Sequence, residues 1–123
     1  MNPSLCGPPT RINLWIGMGG TRTPLHFDSY DNIFVQLVGA KYVRIYGAHE
    51  TSRLYVSKKD SFGAQGNMSA VDCEQEDFTK HPEAKDAAYH EVLLLPGDAL
   101  YIPSGAWHYV RSLTTSVSVN YWF

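Results

Sequence analysis

Short runs of alternating character, each cut off by Gly, Pro, Asn or Asp, constrain this chain more than any other feature. A chain broken this often has no room for long helices, and its runs read as β-strands. Eight can be placed, at 11–18, 24–28, 32–38, 41–46, 90–95, 99–102, 107–113 and 115–123. Val38-Gly39-Ala40-Lys41 and Leu95-Pro96-Gly97-Asp98-Ala99 read as tight hairpin turns. Between Gly47 and Tyr89 the alternation lapses, and most of the acidic residues collect there: Asp60, Asp72, Glu74, Glu76, Asp77, Glu83 and Asp86. A structureless loop of that length is rare in a compact domain, so an insert at about 47–89 with short helical turns near 48–54 and 76–80 is expected. Eight strands with a partly helical insert between the fourth and fifth predict an all-β jelly roll of two facing four-stranded sheets. An immunoglobulin-like sandwich is the competing arrangement, and polar residues on inward strand faces argue against it.

With 123 residues, the chain is expected to form one domain, 1–123. Its 44% hydrophobic and 18% charged composition favours a packed core over disorder. Ten basic and 12 acidic side chains leave a formal charge of -2, too balanced for broad attraction to nucleic acid or anionic membrane. No stretch approaches the roughly 20 apolar residues that cross a bilayer. Residues 1–9 lack the basic head and apolar run of a signal peptide. Cys6 and Cys73 have no metal-type spacing; a disulfide stays open, and two free thiols in the cytoplasm or nucleus are the expectation.

His26-Phe27-Asp28 sits in a predicted strand, where side chains two apart share a face and can grip one ion. Trp107-His108-Tyr109, on a late strand, offers a second imidazole. Two imidazoles and a carboxylate on one face of an octahedral ion suit non-haem iron(II) in oxygenases. Each histidine alone also fits a hydrogen-bonded core or surface residue. Lys41 opens a strand whose same-face residues are Val43 and Ile45. If it points inward it needs an anionic partner, which a dicarboxylate ligand would provide; otherwise it flanks the turn and faces solvent. In the last strand Ser116, Ser118, Asn120 and Trp122 share one parity, and Val117, Val119, Tyr121 and Phe123 the other. The polar face either binds something polar within the fold or lies in solvent. Asn32 shares a strand face with Phe34 and Gln36, while Gln36 and Trp107 are placed to support the metal ligands.

The segments Leu14-Trp15-Ile16-Gly17, Thr23-Pro24-Leu25-His26-Phe27-Asp28, Asn32-Ile33-Phe34-Val35-Gln36 and Gly39-Ala40-Lys41-Tyr42-Val43-Arg44 resemble a Jumonji-C domain. So do Pro96-Gly97-Asp98-Ala99-Leu100-Tyr101-Ile102-Pro103, Trp107-His108-Tyr109-Val110 and Val119-Asn120-Tyr121-Trp122. The likeness covers nearly every strand and is most similar to the small hydroxylases that consist of this domain without reader modules. It implies a double-stranded β-helix of cupin-like form, with Fe(II) as cofactor and 2-oxoglutarate and O2 as cosubstrates. It implies that His26, Asp28 and His108 hold the metal, and that Lys41 and Thr23 hold the distal carboxylate of 2-oxoglutarate. Asn32 and Asn120 match asparagines near the cosubstrate, and Trp122 a tryptophan lining the pocket. Thr23 and His26 are an odd number apart, so both face one pocket only if Pro24 marks an irregularity.

The implied activity is hydroxylation of a protein or peptide side chain. Histone lysyl demethylation and a non-catalytic cupin-like binding module are the alternatives. Relatives of this kind carry more chain before the first strand, including a tyrosine for 2-oxoglutarate. Only residues 1–10 precede the likeness here, which leaves a fragment or a minimal member as the expectation. Substrate identity and oligomeric state are not written in the sequence.

Overall fold

The computed structural model describes residues 7–57 and 66–123. Its eight strands are β1 (Arg11–Gly17), β2 (Arg22–Phe27), β3 (Asn32–Val38), β4 (Lys41–Tyr46), β5 (Tyr89–Leu94), β6 (Ala99–Ile102), β7 (Trp107–Ser112) and β8 (Ser116–Trp122). They form two antiparallel four-stranded sheets, ordered β1-β8-β3-β6 and β2-β7-β4-β5. This is the expected jelly roll.

The two turns expected to be hairpins instead carry the chain from one sheet to the other: β3 and β4 lie in different sheets, as do β5 and β6. Short loops and turn residues identify a tight connection, but they do not say whether the next strand pairs with the last. The β3–β4 crossing has local causes. The register of β3 against β8 shifts between Gln36 and Val38, which bends the strand end. Gly39 follows at φ +70°, and a Cβ there would sit 2.1 Å from the carbonyl oxygen of Thr115. Only glycine fits that left-handed position against that neighbour. The buried Gln36 amide donates to the carbonyls of Val38 (2.8 Å) and Gly39 (3.0 Å), and its oxygen accepts from the Ser118 hydroxyl (2.7 Å). Gln36 therefore braces this turn and does not support the histidines, as its sequence position had suggested.

The expected helical turn at 48–54 is a 3₁₀ segment, Ala48–Arg53. The one expected at 76–80 is displaced to Pro82–Asp86, where proline occupies the start of the segment. Residues 76–80 form a turn instead, because the Asp77 carboxylate accepts from the backbone of Thr79 and Lys80.

Apolar packing divides into two clusters. Phe34, Val43, Leu94, Ile102 and Ala106 fill part of the space between the sheets. A second cluster, including Leu25, Tyr46, Leu54, Val71, Cys73, Trp107 and Tyr109, packs the insert onto the outer face of the β2-containing sheet. Charged contacts fasten the insert there. Glu74 meets Arg22 (2.9 Å), Arg111 (3.1 Å) and the Tyr109 hydroxyl, and Glu76 meets Arg44 (2.6 Å). Cys73 is a buried thiol whose pKa burial pushes up to about 11; Cys6 lies outside the described residues.

The other sheet inverts the usual pattern of an antiparallel sheet with one wet face. Its inward face carries Asn32, Gln36, Ser116, Ser118 and Asn120, all buried. Its outer rows run Ile12-Tyr121-Ile33-Tyr101 and Leu14-Val119-Val35-Ala99 across the strands. The polar parity of the last strand thus faces the interior. A polar inner wall is sustained only by internal hydrogen bonds or by a polar occupant.

Candidate metal centre and cavity

A cavity of about 310 Å³ opens between the sheets. Thr23, His26, Asp28, Asn32, Lys41, His108, Asn120 and Trp122 all line it. The structure therefore gathers in one space the eight side chains that the resemblance assigns to metal and cosubstrate, although they come from five strands and one loop end, while Gln36 and Trp107 lie outside it.

His26 lies on β2 and His108 opposite it on β7, paired in register. Asp28 stands one residue beyond the end of β2. The β2–β7 register shifts between Thr23 and His26, so the strand bulges at Pro24. This irregularity turns Thr23 and His26 to the same side while Leu25 is buried in the outer cluster.

Each histidine is oriented through the nitrogen that faces away from the centre. His26 Nδ1 lies 2.8 Å from the Pro24 carbonyl, and His108 Nδ1 lies 3.1 Å from that of Ala106. A carbonyl only accepts, so both Nδ1 atoms donate and both Nε2 atoms face inward. From there His26 Nε2 is 3.8 Å and His108 Nε2 3.6 Å from Asp28 Oδ2. Those spacings are too long for hydrogen bonds. One ligand atom from each residue lies within 4.8 Å of the others. Two imidazole Nε2 atoms and a carboxylate that face one another without bonding make a donor set for a cation.

Electrostatics agree with that reading. Burial, and secondarily the neighbouring His26, lower the His108 pKa to about 4. The ring is therefore neutral and ligand-ready at physiological pH. Burial raises the Asp28 carboxyl, against the lowering influence of His26.

Lys41 starts β4 and is only 6% exposed. It points inward, not to solvent, and its ammonium lies 5.2 Å from the centre of the Phe34 ring on the facing sheet. Among the described residues no carboxylate pairs with it, and burial lowers its pKa. Asn120 accepts a 3.0 Å hydrogen bond from the Trp15 indole, which fixes its amide.

Trp107 supports the site by packing: its ring meets Phe27 edge-on at 4.9 Å, and its indole donates to Thr51. Sequence reasoning passed over Arg11, Asn13 and Trp15, which line the cavity from β1. Their shared parity was available as a signal. The more apolar parity of that strand, Ile12, Leu14 and Ile16, faces away from the cavity, while Asn13 is half-buried and Trp15 stays partly exposed at its edge.

A sequence model of a family described as "Cupin-like domain" matches residues 2–123. The chain is 50% identical over 124 residues to JmjC domain-containing protein F of Dictyostelium discoideum, covering 90% of this chain and 26% of that protein. It is 44% identical over 112 residues to lysine-specific demethylase 8 of Danio rerio, covering 91% and 27% respectively. The chain thus spans about a quarter of the length of these relatives. Among solved structures, ycfD of E. coli aligns with a TM-score of 0.60 at 20% identity, covering 98% of this chain and 26% of that one, a likeness of fold.

Proposed function

This chain belongs to the cupin-like domain family, in its Jumonji-C form, and on that premise we propose that it is the core of an Fe(II)- and 2-oxoglutarate-dependent oxygenase that hydroxylates a protein side chain. The observation that carries the reading is the convergence of His26 Nε2, His108 Nε2 and an Asp28 oxygen within 4.8 Å. The donor set fits iron(II): two imidazoles and one carboxylate on one side leave the other positions for cosubstrate and dioxygen. Iron(II) and 2-oxoglutarate, when bound, supply the oxidising chemistry, in which cosubstrate and dioxygen yield succinate, carbon dioxide and one oxygen atom for a C–H bond.

The chain's own residues bind and orient. The Pro24 and Ala106 carbonyls hold both imidazoles in the ligating tautomer. Lys41, buried without a counter-charge among the described residues, receives the distal carboxylate of the cosubstrate, and Thr23 adds a hydroxyl on the same wall. Asn32 and Asn120 supply amide contacts nearer the metal, and Trp122 closes one side. Phe34, Val43, Ile102 and Val110 keep the surrounding wall apolar, which strengthens each polar contact made there.

The test is single-turnover formation of succinate from 2-oxoglutarate, together with mass analysis of candidate peptides. A stable gain of one oxygen identifies hydroxylation, and formaldehyde release identifies demethylation. Absence of both metal binding and succinate would leave a binding module.

A further inference from the structure

We infer that the mouth of the cavity selects a substrate segment carrying a carboxylate at or beside the target residue, with Arg11 as the specificity-determining side chain. The inference rests on the oxygenase reading for the chemistry that follows binding.

Arg11, Trp122 and Asn32 form one cross-strand row of the β1-containing sheet. Asn32 opens β3, just after the loop that begins at Asp28, so this row lies at the metal end of the cavity. Lys41 lies beyond the braced turn at the other end. Lys41 comes from the facing sheet, and its ammonium lies over Phe34, in the row next to that of Arg11. Its guanidinium carbon sits 5.6 Å from the centre of the Trp122 ring. Tyr30 stacks on that ring at 5.0 Å and 8°, which holds the indole as a fixed plate. Among the described residues Arg11 has no acidic partner.

A second observation comes from the same row and the next. Asn13 Nδ2, Trp122 Nε1 and Asn32 Oδ1 are buried polar atoms without a hydrogen-bond partner among the described residues. Buried polar atoms are normally satisfied, and three orphans on one wall indicate a polar occupant; Asn32 and Trp122 border the cosubstrate as well, whereas Asn13 has no part in holding it. The two amides can present either end. Arg11 and the Trp122 indole can only donate, so they set the sign of what is recognised.

The acidic residues complete the case. Asp28 is the one carboxylate among the described residues that line the cavity, and it belongs to the metal set. Glu74 and Glu76 sit on the opposite side of the β2-containing sheet, already paired with arginines. A lysine or arginine head group entering the mouth would meet Arg11 and no free carboxylate, so its charge would be desolvated without compensation. An aspartate or glutamate would meet a guanidinium and an indole N–H.

Four labelled nonapeptides differing only in a central Asp, Asn, Lys or Arg test this by fluorescence anisotropy, with protein loaded with Mn(II) and 2-oxoglutarate. The Asp peptide is expected to bind about tenfold more tightly than the Lys and Arg peptides, as for one charge-assisted contact at a partly open site. Arg11→Gln should erase the Asp-over-Asn preference, and Arg11→Glu should reverse the order toward Lys. Preference for Lys or Arg in the unaltered protein overturns the inference. So does the absence of any preference, including no binding of all four peptides at millimolar concentration. It also fails if the Arg11 variants keep the original order, or if Arg11→Gln weakens 2-oxoglutarate binding instead of peptide choice. Succinate formation without charge preference sinks this inference alone. Charge preference without succinate sinks the oxygenase reading alone.

Discussion

Replacing Lys41 by Met separates what the ammonium does for the fold from what it does for a ligand. Lys41 is buried, lacks a carboxylate partner among the described residues, and has only the Phe34 face 5.2 Å away as a favourable neighbour. A cation–π contact of that kind returns about 0.5–2 kcal/mol, less than full desolvation of an ammonium withdraws. Met keeps the length and removes the charge. The ligand-free variant should therefore be more stable by about 1–2 kcal/mol, or about 4–8 °C in Tm for a chain of this size. The gain should depend on pH with a definite sign. The folded Lys41 pKa is lowered from 10.5, so between that lowered value and 10.5 the unfolded chain binds more protons and the unaltered protein gains stability as pH rises. The advantage of Met is then full at neutral pH and shrinks toward pH 10.5.

Saturating Mn(II) and 2-oxoglutarate should invert the ranking. At a hundredfold excess over Kd a ligand stabilises its protein by about 2.7 kcal/mol, and Lys41→Met should forfeit most of this. Thermal melts followed by circular dichroism, with and without cosubstrate, read both effects. A ligand-free variant less stable than the unaltered protein, or an undiminished shift on adding 2-oxoglutarate, would refute the reasoning.

Other expectations follow from the same geometry. His26→Ala, Asp28→Ala or His108→Ala should each abolish succinate production, and turnover at the original rate in any one would contradict the ligand assignment. In metal-free protein, His108 is held neutral down to about pH 4 while its unfolded counterpart protonates near 6.5. Acidification through that window should cost up to about 3 kcal/mol, partly offset within it as pH falls through the raised carboxyl of Asp28 toward 3.8. Urea titrations from pH 7 to 4 should show this slope, and His108→Gln should flatten it. Gly39→Ala puts a methyl against the Thr115 carbonyl in a left-handed backbone position, and should destabilise the fold by about 2–4 kcal/mol in the same titrations.

Strand positions were legible because alternation and turn residues act locally. Residues 32–38, 41–46 and 99–102 begin and end where the pattern says they should. The bulge at Pro24 was legible too, because Thr23 and His26 cannot share a face without it. Sheet membership was not: a tight turn such as 38–41 looks the same whether it returns to its own sheet or crosses, and the deciding contact, Gly39 against Thr115, lies far away in the chain. Parity divides a strand into two faces without saying which is interior. That is why Arg11, Asn13 and Trp15 went unread on a strand whose other face, Ile12, Leu14 and Ile16, is the more apolar one. The second helical turn was misplaced because Asp77 captures the backbone amides of 79 and 80 before a helix can start, and Pro82 then starts one.

Anomalous diffraction from crystals grown with Mn(II) and 2-oxoglutarate addresses the metal site most directly. A single metal peak should lie within bonding distance of His26 Nε2, His108 Nε2 and an Asp28 oxygen, with the far carboxylate of the cosubstrate against the Lys41 ammonium. A peak elsewhere, or a cosubstrate that leaves Lys41 unpaired, would contradict the account.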